Sequence, residues 1–240
     1  MQWFECWFDS PYYHLLYGKR DEKEAGFFID NLLKKLNLSE HARCWDLNCG
    51  KGRHSLYLNK KGFDVIGTDL SEESIKYALQ FENEHLHFYR HDMRNLFYAN
   101  YFDGVFNLFT SFGYFRNKFE DEKVFQSIYN SLKPGGIFVL DFFNAAQVLN
   151  CLKELEEKTI NDVVFTLKKK IENNTIIKEI TVNDKGEISR FKEEVKIFTD
   201  AELVLLGEQA GFTFKNSFGN YNLDTFNKES SDRLILIFEK

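Results

Sequence analysis

Between residues 40 and 145 the apolar positions change period again and again. Short apolar runs at "ARCWDL" (42–47), "FDVIGTDL" (63–70), "HLHFYRHD" (85–92), "FDGVFNLFTSF" (102–112) and "GGIFVLDFFN" (135–144) predict strands. Helical spacing separates them at "GRHSLYLNKKG" (52–62), "SEESIKYALQF" (71–81) and "EDEKVFQSIYNSLK" (120–133), and precedes them at 21–36. Ser71 is a capping residue followed by acids, Gly62 closes its helix, and Pro134 requires the helix before it to stop. Such alternation predicts an α/β fold: a doubly wound, mostly parallel sheet with helices on both faces.

After residue 150 the period drops to two. Residues 162–198 read as three strands of an antiparallel β meander, with "ENN" and "NDKG" at the turns. A helix over 199–211 runs from Thr199 to Gly211, and "FTFKNSFGNY" and "DRLILIFEK" predict two last strands. No low-complexity linker interrupts the chain. The expectation is one domain over 1–240, with an N-terminal helical lid segment over 1–40 and an inserted meander over 151–198.

Composition narrows the function. The 240 residues are 43% hydrophobic and 28% charged, the balance of a globular protein. A net charge of −6 gives a nucleic-acid partner no help. No apolar run is long enough to span a bilayer, and the first residues lack the basic start and apolar core of a secretion signal, so a cytoplasmic location is expected. Cys6, Cys44, Cys49 and Cys151 form no Cys-x-x-Cys pair, and no histidine has metal-site spacing beside them. No metal is expected, and His85, His87 and His91 read as polar residues at a strand edge.

The chemistry concentrates at "CWDLNCGKGRHSLYL" (44–58). Asp46 ends a strand four residues before Gly50-Lys51-Gly52, where a helix starts. A dinucleotide site wants a third glycine in place of Ser55, and no carboxylate beside its pyrophosphate. A ligand with an amino acid at one end and a nucleoside at the other fits better. Its ammonium favours Asp46, its carboxylate favours the free N–H groups of the helix start, and glycines permit close approach. Asp69, 23 residues on, stands at the next strand tip and suits the ribose hydroxyls. Asp92, another 23 residues on, suits the exocyclic amine of adenine. These requirements describe S-adenosylmethionine. The bland alternatives are that Asp46 caps a turn, that Asp69 only opens a helix, and that Arg53 and His54 are solvated or packing residues.

The motif "CWDLNCGKGRHSLYLNKKGFDVIGTDLSEESIKYA", with "HDMRNLFYANYFDGVFNLFTSFGYF" and "LKPGGIFVLDFFN", resembles the class I S-adenosylmethionine-dependent methyltransferases over about residues 40–145. "RFKEEVKIFTDAELVLLGEQAGF" is similar to the tail of small-molecule members that carry a β insertion after the fifth strand. The resemblance implies a Rossmann-like sheet, methyl transfer by in-line displacement, and a cofactor held by Asp46, Asn48, Gly50, Gly52, Arg53, Asp69, Leu70, Asp92, Met93 and Asn107. Asn48 replaces the family's usual small residue, and Asn tolerates left-handed backbone.

In this family a segment like "SPYYHLLYGKR" folds over the cofactor. Tyr13 and Tyr17 would share a helix face and, with "FTSFGYF", wall the sulfonium in aromatic rings, unless these are core aromatics. Tyr13, Tyr17, Arg20, Ser111, Tyr114, Phe143 and Asn144 are expected at the mouth, with the strand tip from Asp141 to Asn144 aimed at the transferred methyl. No obligatory base follows from this chemistry. The expected acceptor is a small or medium-sized molecule, taken by a monomer or homodimer. An RNA or protein methyltransferase and a catalytically silent cofactor-binding protein are the alternatives.

Overall fold

The computed structural model describes residues 2–18 and 22–240. The expected mouth residue Arg20 and the expected first helical residue Asp21 lie outside these. The alternating region folds as the sequence pattern requires. Strands β1 (Arg43–Leu47), β2 (Asp64–Asp69), β3 (Leu86–Arg90), β4 (Phe102–Asn107) and β5 (Leu132–Phe143) are linked in parallel, with α4 (Arg53–Lys60), α5 (Glu72–Ala78) and α6 (Lys118–Ser131) among their connections. Helix α3 (Glu22–Lys35) packs against α4. After α8 (Asp200–Ala210), strands β10 (Thr213–Phe218) and β11 (Arg233–Glu239) complete a seven-stranded sheet of order β10-β11-β5-β4-β1-β2-β3, with β11 antiparallel to both its neighbours.

Each sheet face carries an apolar layer. On one, Val124, Phe125 and Ile128 of α6 and Leu203 and Leu206 of α8 meet Trp45, Phe138 and Phe238. On the other, Phe28, Ile29 and Leu32 of α3, Leu58 of α4 and Ile75 of α5 meet Val65, Phe88 and Ile235. Trp45 is fully buried, so its indole N–H needs a partner; it donates to Thr68 Oγ1 at 2.8 Å. The strand order reverses between β1 and β4, which opens a crevice beyond their carboxyl ends.

Several boundaries differ from expectation, each for a local reason. The strand expected over 102–112 ends at Asn107, because Asp141 at the end of β5 captures the next segment. Its carboxylate accepts from Phe109 N at 2.9 Å and its carbonyl from Thr110 N at 3.0 Å. Phe109 and Thr110 sit at φ 60° and 58°, a left-handed conformation that non-glycine residues hold only when neighbours impose it. The helix expected over 120–133 starts earlier, because Asn117 caps it. Asn144 is not at a mouth. It is 2% exposed, caps α7 (Ala145–Cys151), and its amide donates to the carbonyls of Lys228 and Ser231. Phe143 stacks on Phe142 and also lies outside the cavity described below. Asp141 likewise aims at no ligand: it is fully buried and paired with Arg233 at 2.8 Å.

The meander contains the three expected strands, β7 (Val163–Glu172), β8 (Thr175–Asp184) and β9 (Glu187–Lys196), preceded by a fourth, β6 (Leu155–Ile160). One face bears Phe165, Leu167, Ile180 and Val182. These bury Trp7 of α1 (Trp3–Phe8) and Leu16 of α2 (Pro11–Tyr17), so the second sheet lies under the N-terminal helices. A polar cluster fastens the contact. Glu193 Oε1 accepts from Trp7 Nε1 at 2.7 Å and from the Tyr17 hydroxyl at 2.8 Å. Lys178 forms an ion pair with the same carboxylate and donates to the Tyr17 oxygen at 2.7 Å. Lys178 and Glu193 expose only 18% and 12% of their side chains, so the pair is shielded enough to contribute to stability.

Glu193→Ala removes the acceptor for Trp7 and Tyr17 and strands the Lys178 ammonium. Hydrogen bonds to a charged group contribute about 1.5–3 kcal/mol. Amide exchange in residues 3–17 should therefore accelerate by one to two orders of magnitude, roughly, while β1, β2 and β4 keep their protection. Equal exchange in wild type and variant would show that the apolar layer alone seats the helices.

Candidate functional site

The crevice beyond β1 and β4 is closed from above by α1 and α2, leaving a cavity of about 400 Å³. Its floor is the turn from β1 to α4. Asn48, Gly50 and Gly52 all have positive φ, at 64°, 56° and 83°, so the expected left-handed asparagine is present. Gly52 has a second reason to be glycine: a Cβ there would stand 2.7 Å from the Phe88 ring. Gly50 is different, since a Cβ there meets nothing within 4 Å. The space beside it is open to a ligand, as a cofactor passing close to the backbone requires.

The three acids stand around this turn, and each has a different environment. Asp46 is 1% exposed and accepts from Ser55 Oγ at 2.5 Å. Burial raises its pKa to about 6, against the lowering effect of the Ser55 hydroxyl and N–H. Asp69 accepts from Gly50 N at 2.8 Å and from Ser71 N at 2.9 Å, one on each oxygen. Burial pushes its pKa up, and these N–H groups oppose the shift. Each oxygen keeps a lone pair for a hydroxyl donor. Asp92 lies two residues beyond β3 and is clamped by Arg94, whose Nε stands 3.0 Å from Oδ1. Burial would raise the Asp92 pKa, but the Arg94 side chain and N–H outweigh it and hold the carboxyl below its usual value.

Leu70, Met93 and Arg53 also line the cavity, together with Tyr13 and Tyr17. The two tyrosine rings lie 5.1 Å apart on one face of α2. The Tyr17 hydroxyl is committed to Glu193 and Lys178, so this residue presents its ring, not an acid or base. Ser111, Phe109, Tyr114 and Phe115 line the cavity too, whereas Phe112 is a core residue at 1% exposure. Arg53 stacks over the Phe109 ring at 4.5 Å, and His54 lies 5.2 Å from it. The strained loop held by Asp141 thus carries a wall of the site.

Two expected contacts are not in the cavity wall. Asn107 is 1% exposed, and its amide points back to the carbonyls of Leu47 and Ser111 at 3.4 and 3.3 Å. Gly52 acts from behind, through the room it leaves for Phe88. Conversely, Phe4, Phe8, His14 and Tyr77 line the site without having been singled out, and so does His91, read from the sequence as a polar strand-edge residue. For Phe4 and Phe8 the signal was present: an i, i+4 aromatic pair at the start of the chain. The meander strands do not line the cavity; their apolar face packs on α1 and α2, and β9 also meets the loop after β4, where Lys196 N donates to the Gly113 carbonyl at 2.8 Å. Among the described residues no group of three or more His, Cys, Asp or Glu side chains is placed to hold a metal. No helix among them is long and apolar enough to cross a membrane.

Comparison with known proteins agrees with this geometry. Residues 45–136 match the family described as "Methyltransferase domain". YqeM of Bacillus subtilis, provisionally named a methyltransferase, is 35% identical over 115 residues, 47% of either chain. The chain spans about half the length of the curated relatives it matches. Among solved structures, an S-adenosylmethionine-dependent methyltransferase from Clostridium acetobutylicum superposes with a TM-score of 0.80 at 20% identity, covering 95% of both chains. The sugar N-methyltransferase KedS8 from Streptoalloteichus superposes at 0.75 with 16% identity, covering 95% of this chain and 92% of its own. Residues 45–136 match the methyltransferase-domain family, and the chain around them has the fold of the S-adenosylmethionine-dependent methyltransferases on which it superposes.

Proposed function

We propose that this chain transfers a methyl group from S-adenosylmethionine to a small or medium-sized acceptor. The observation that carries the reading is the convergence of Asp46, Asp69 and Asp92 on one cavity around an open glycine turn. Asp46 suits the cofactor's ammonium, Asp69 its ribose hydroxyls and Asp92 its adenine amine. Arg53 and the N-terminal end of α4 suit its carboxylate. The bound cofactor supplies an activated methyl on a sulfonium. What remains for the protein is to bind, align and exclude water.

The aromatic rings of Phe4, Phe8, Tyr13, Tyr17 and Tyr114 lie where a cation would be attracted to them, and they roof the site. That roof, with the net charge of −6, supports a small acceptor over a nucleic acid. The likeness to KedS8, named for a sugar substrate, supports the same class. We read residues 3–17, backed by β6–β9, as a lid on a single catalytic domain.

Two outcomes test this. Calorimetry should find one site for S-adenosylhomocysteine. Asp69→Ala should weaken it by about ten- to hundredfold, the cost of losing a charged acceptor. It should also lower the melting temperature, because Gly50 N and Ser71 N lose their acceptor with it. Wild-type affinity in this variant would move the ribose contact elsewhere.

The second is a pH dependence. With its pKa raised from 3.8 to about 6, Asp46 is ionised at pH 7 and largely protonated at pH 5. A cationic ligand group favours the ionised form, so affinity should fall about tenfold between pH 7 and pH 5. The fold without ligand changes in the opposite sense. A raised carboxyl binds its proton more tightly when folded, so its contribution to stability is lost as pH rises from about 4 to about 6. Asp46→Asn should flatten the affinity profile, and an unaltered profile in that variant would exclude Asp46 as the titrating group.

A further inference from the structure

Just after β4, Phe109 and Thr110 hold two consecutive left-handed conformations, at φ 60° and 58°. Neither is a glycine, so each carries a conformational cost that only surrounding contacts sustain. Those contacts come from outside the cavity. Asp141, fully buried near the end of β5, accepts from Phe109 N at 2.9 Å through its carboxylate and from Thr110 N at 3.0 Å through its carbonyl. Arg233, the first residue of β11, donates to Asp141 Oδ1 at 2.8 Å through Nε and to Thr110 Oγ1 at 3.0 Å. Tyr221, in the link between β10 and β11, donates to Asp141 Oδ2 at 3.3 Å. An apolar pair would join β5 to β11 without burying a charge. What the ionic cluster adds is a fixed path for residues 109 and 110.

That path sets one ring. The Phe109 ring lines the cavity, and the Tyr221 ring stands 5.6 Å from it and 4.3 Å from Phe28 of α3. The Tyr221 carbonyl accepts from Asn31 Nδ2 at 2.9 Å, which anchors this link to the same helix. Against Phe109 lies the Arg53 guanidinium, 4.5 Å from the ring centroid. A row of rings, Phe28, Tyr221 and Phe109, thus runs from a core helix to a cation in the cavity wall. Arg53 is the first residue of α4, and its charge acts on Asp46, which lines the same cavity. A cation and an anion within electrostatic reach of each other are complementary to a zwitterion, and the amino-acid end of S-adenosylmethionine is one. A guanidinium stacks on a ring and grips carboxylate oxygens in its own plane, so the ring beneath it decides where its N–H groups point.

We infer that Asp141, Arg233 and Tyr221 are positioning residues for cofactor binding: they fix the Phe109 ring as the support of the Arg53 guanidinium and so aim that cation at the cofactor's carboxylate. This deepens the methyltransferase reading above and rests on it. None of the three lines the cavity, and they act on the ligand only through Phe109 and Arg53.

The experiment is calorimetry with S-adenosylhomocysteine and with 5′-methylthioadenosine, which lacks the amino-acid end, on wild type, Phe109→Leu, Tyr221→Leu, Arg233→Gln and Arg233→Lys. Phe109→Leu should lose about three- to thirtyfold in affinity for S-adenosylhomocysteine, the range a cation–aromatic contact spans, and keep its affinity for 5′-methylthioadenosine. Tyr221→Leu and Arg233→Gln should show the same selective loss, and Arg233→Lys, which keeps a charge beside Asp141, should recover part of it. Retained binding of 5′-methylthioadenosine reports an intact cavity in each variant. If Arg233→Gln does not fold, Phe109→Leu and Tyr221→Leu decide the matter. Equal losses with both ligands would show that the loop serves the fold alone, and a loss in Phe109→Leu absent from the other variants would remove the positioning role. Either result, or unchanged affinity throughout, overturns the inference while wild-type binding of S-adenosylhomocysteine keeps the cofactor reading intact. Failure of the wild-type protein to bind S-adenosylhomocysteine overturns both.

Discussion

Asp69 joins the two turns on which the site is built. One of its oxygens takes the N–H of Gly50, in the turn after β1, and the other takes the N–H of Ser71, in the turn after β2. A parallel sheet fixes the distance between neighbouring strands but not the paths of the loops beyond them. The Asp69 carboxylate sets those paths relative to each other. It brings the N-terminal end of α4 and the cap of α5 to one crevice, and Asp9 then reaches Ser71 from the roof. Because hydrogen-bond donors already surround it, the carboxylate stays in place with lone pairs to spare.

Local chemistry made much of this legible before any coordinates. Asn48 was expected to accept left-handed backbone and does, at φ 64°. Thr199 was expected to cap, and it forms a reciprocal box with Glu202. Ser71 caps α5 through Ser74 N. The three acids were placed by counting along strands, a rule that holds wherever side chains alternate and strands are short. The illegible parts depend on contacts distant in sequence. Residues 108–112 read as strand because they are apolar, and nothing near them announces that Asp141 will turn them outward. Strand β6 escaped because its pattern is charged: Glu156 stands beside Leu167 and is held by Lys158 and Lys169, where an apolar residue would have marked the buried face. Asn107 and Asn144 look like ligand-binding residues from their positions at strand ends, but each satisfies backbone carbonyls instead.

The two sheets contribute differently. The seven-stranded sheet positions Asp46, Asp69 and Asp92 around the glycine turn that floors the cavity. The four-stranded sheet supplies no wall of its own. It holds α1 and α2 by an apolar layer and by the Glu193–Lys178 cluster, and those helices present aromatic rings to the cavity.

The bonds from Glu193 to Trp7 and Tyr17 span 186 and 176 residues of chain. On a ribosome adding about 5–20 residues per second, the first helices are complete on the order of ten seconds before their acceptor exists. Until then Trp7 and Leu16 have no apolar partner of the kind they bury against in the finished fold. Strands β1 to β5 precede β9 in the chain, so α1 and α2 meet their Glu193 anchor only after the parallel strands beneath the cavity have been synthesised.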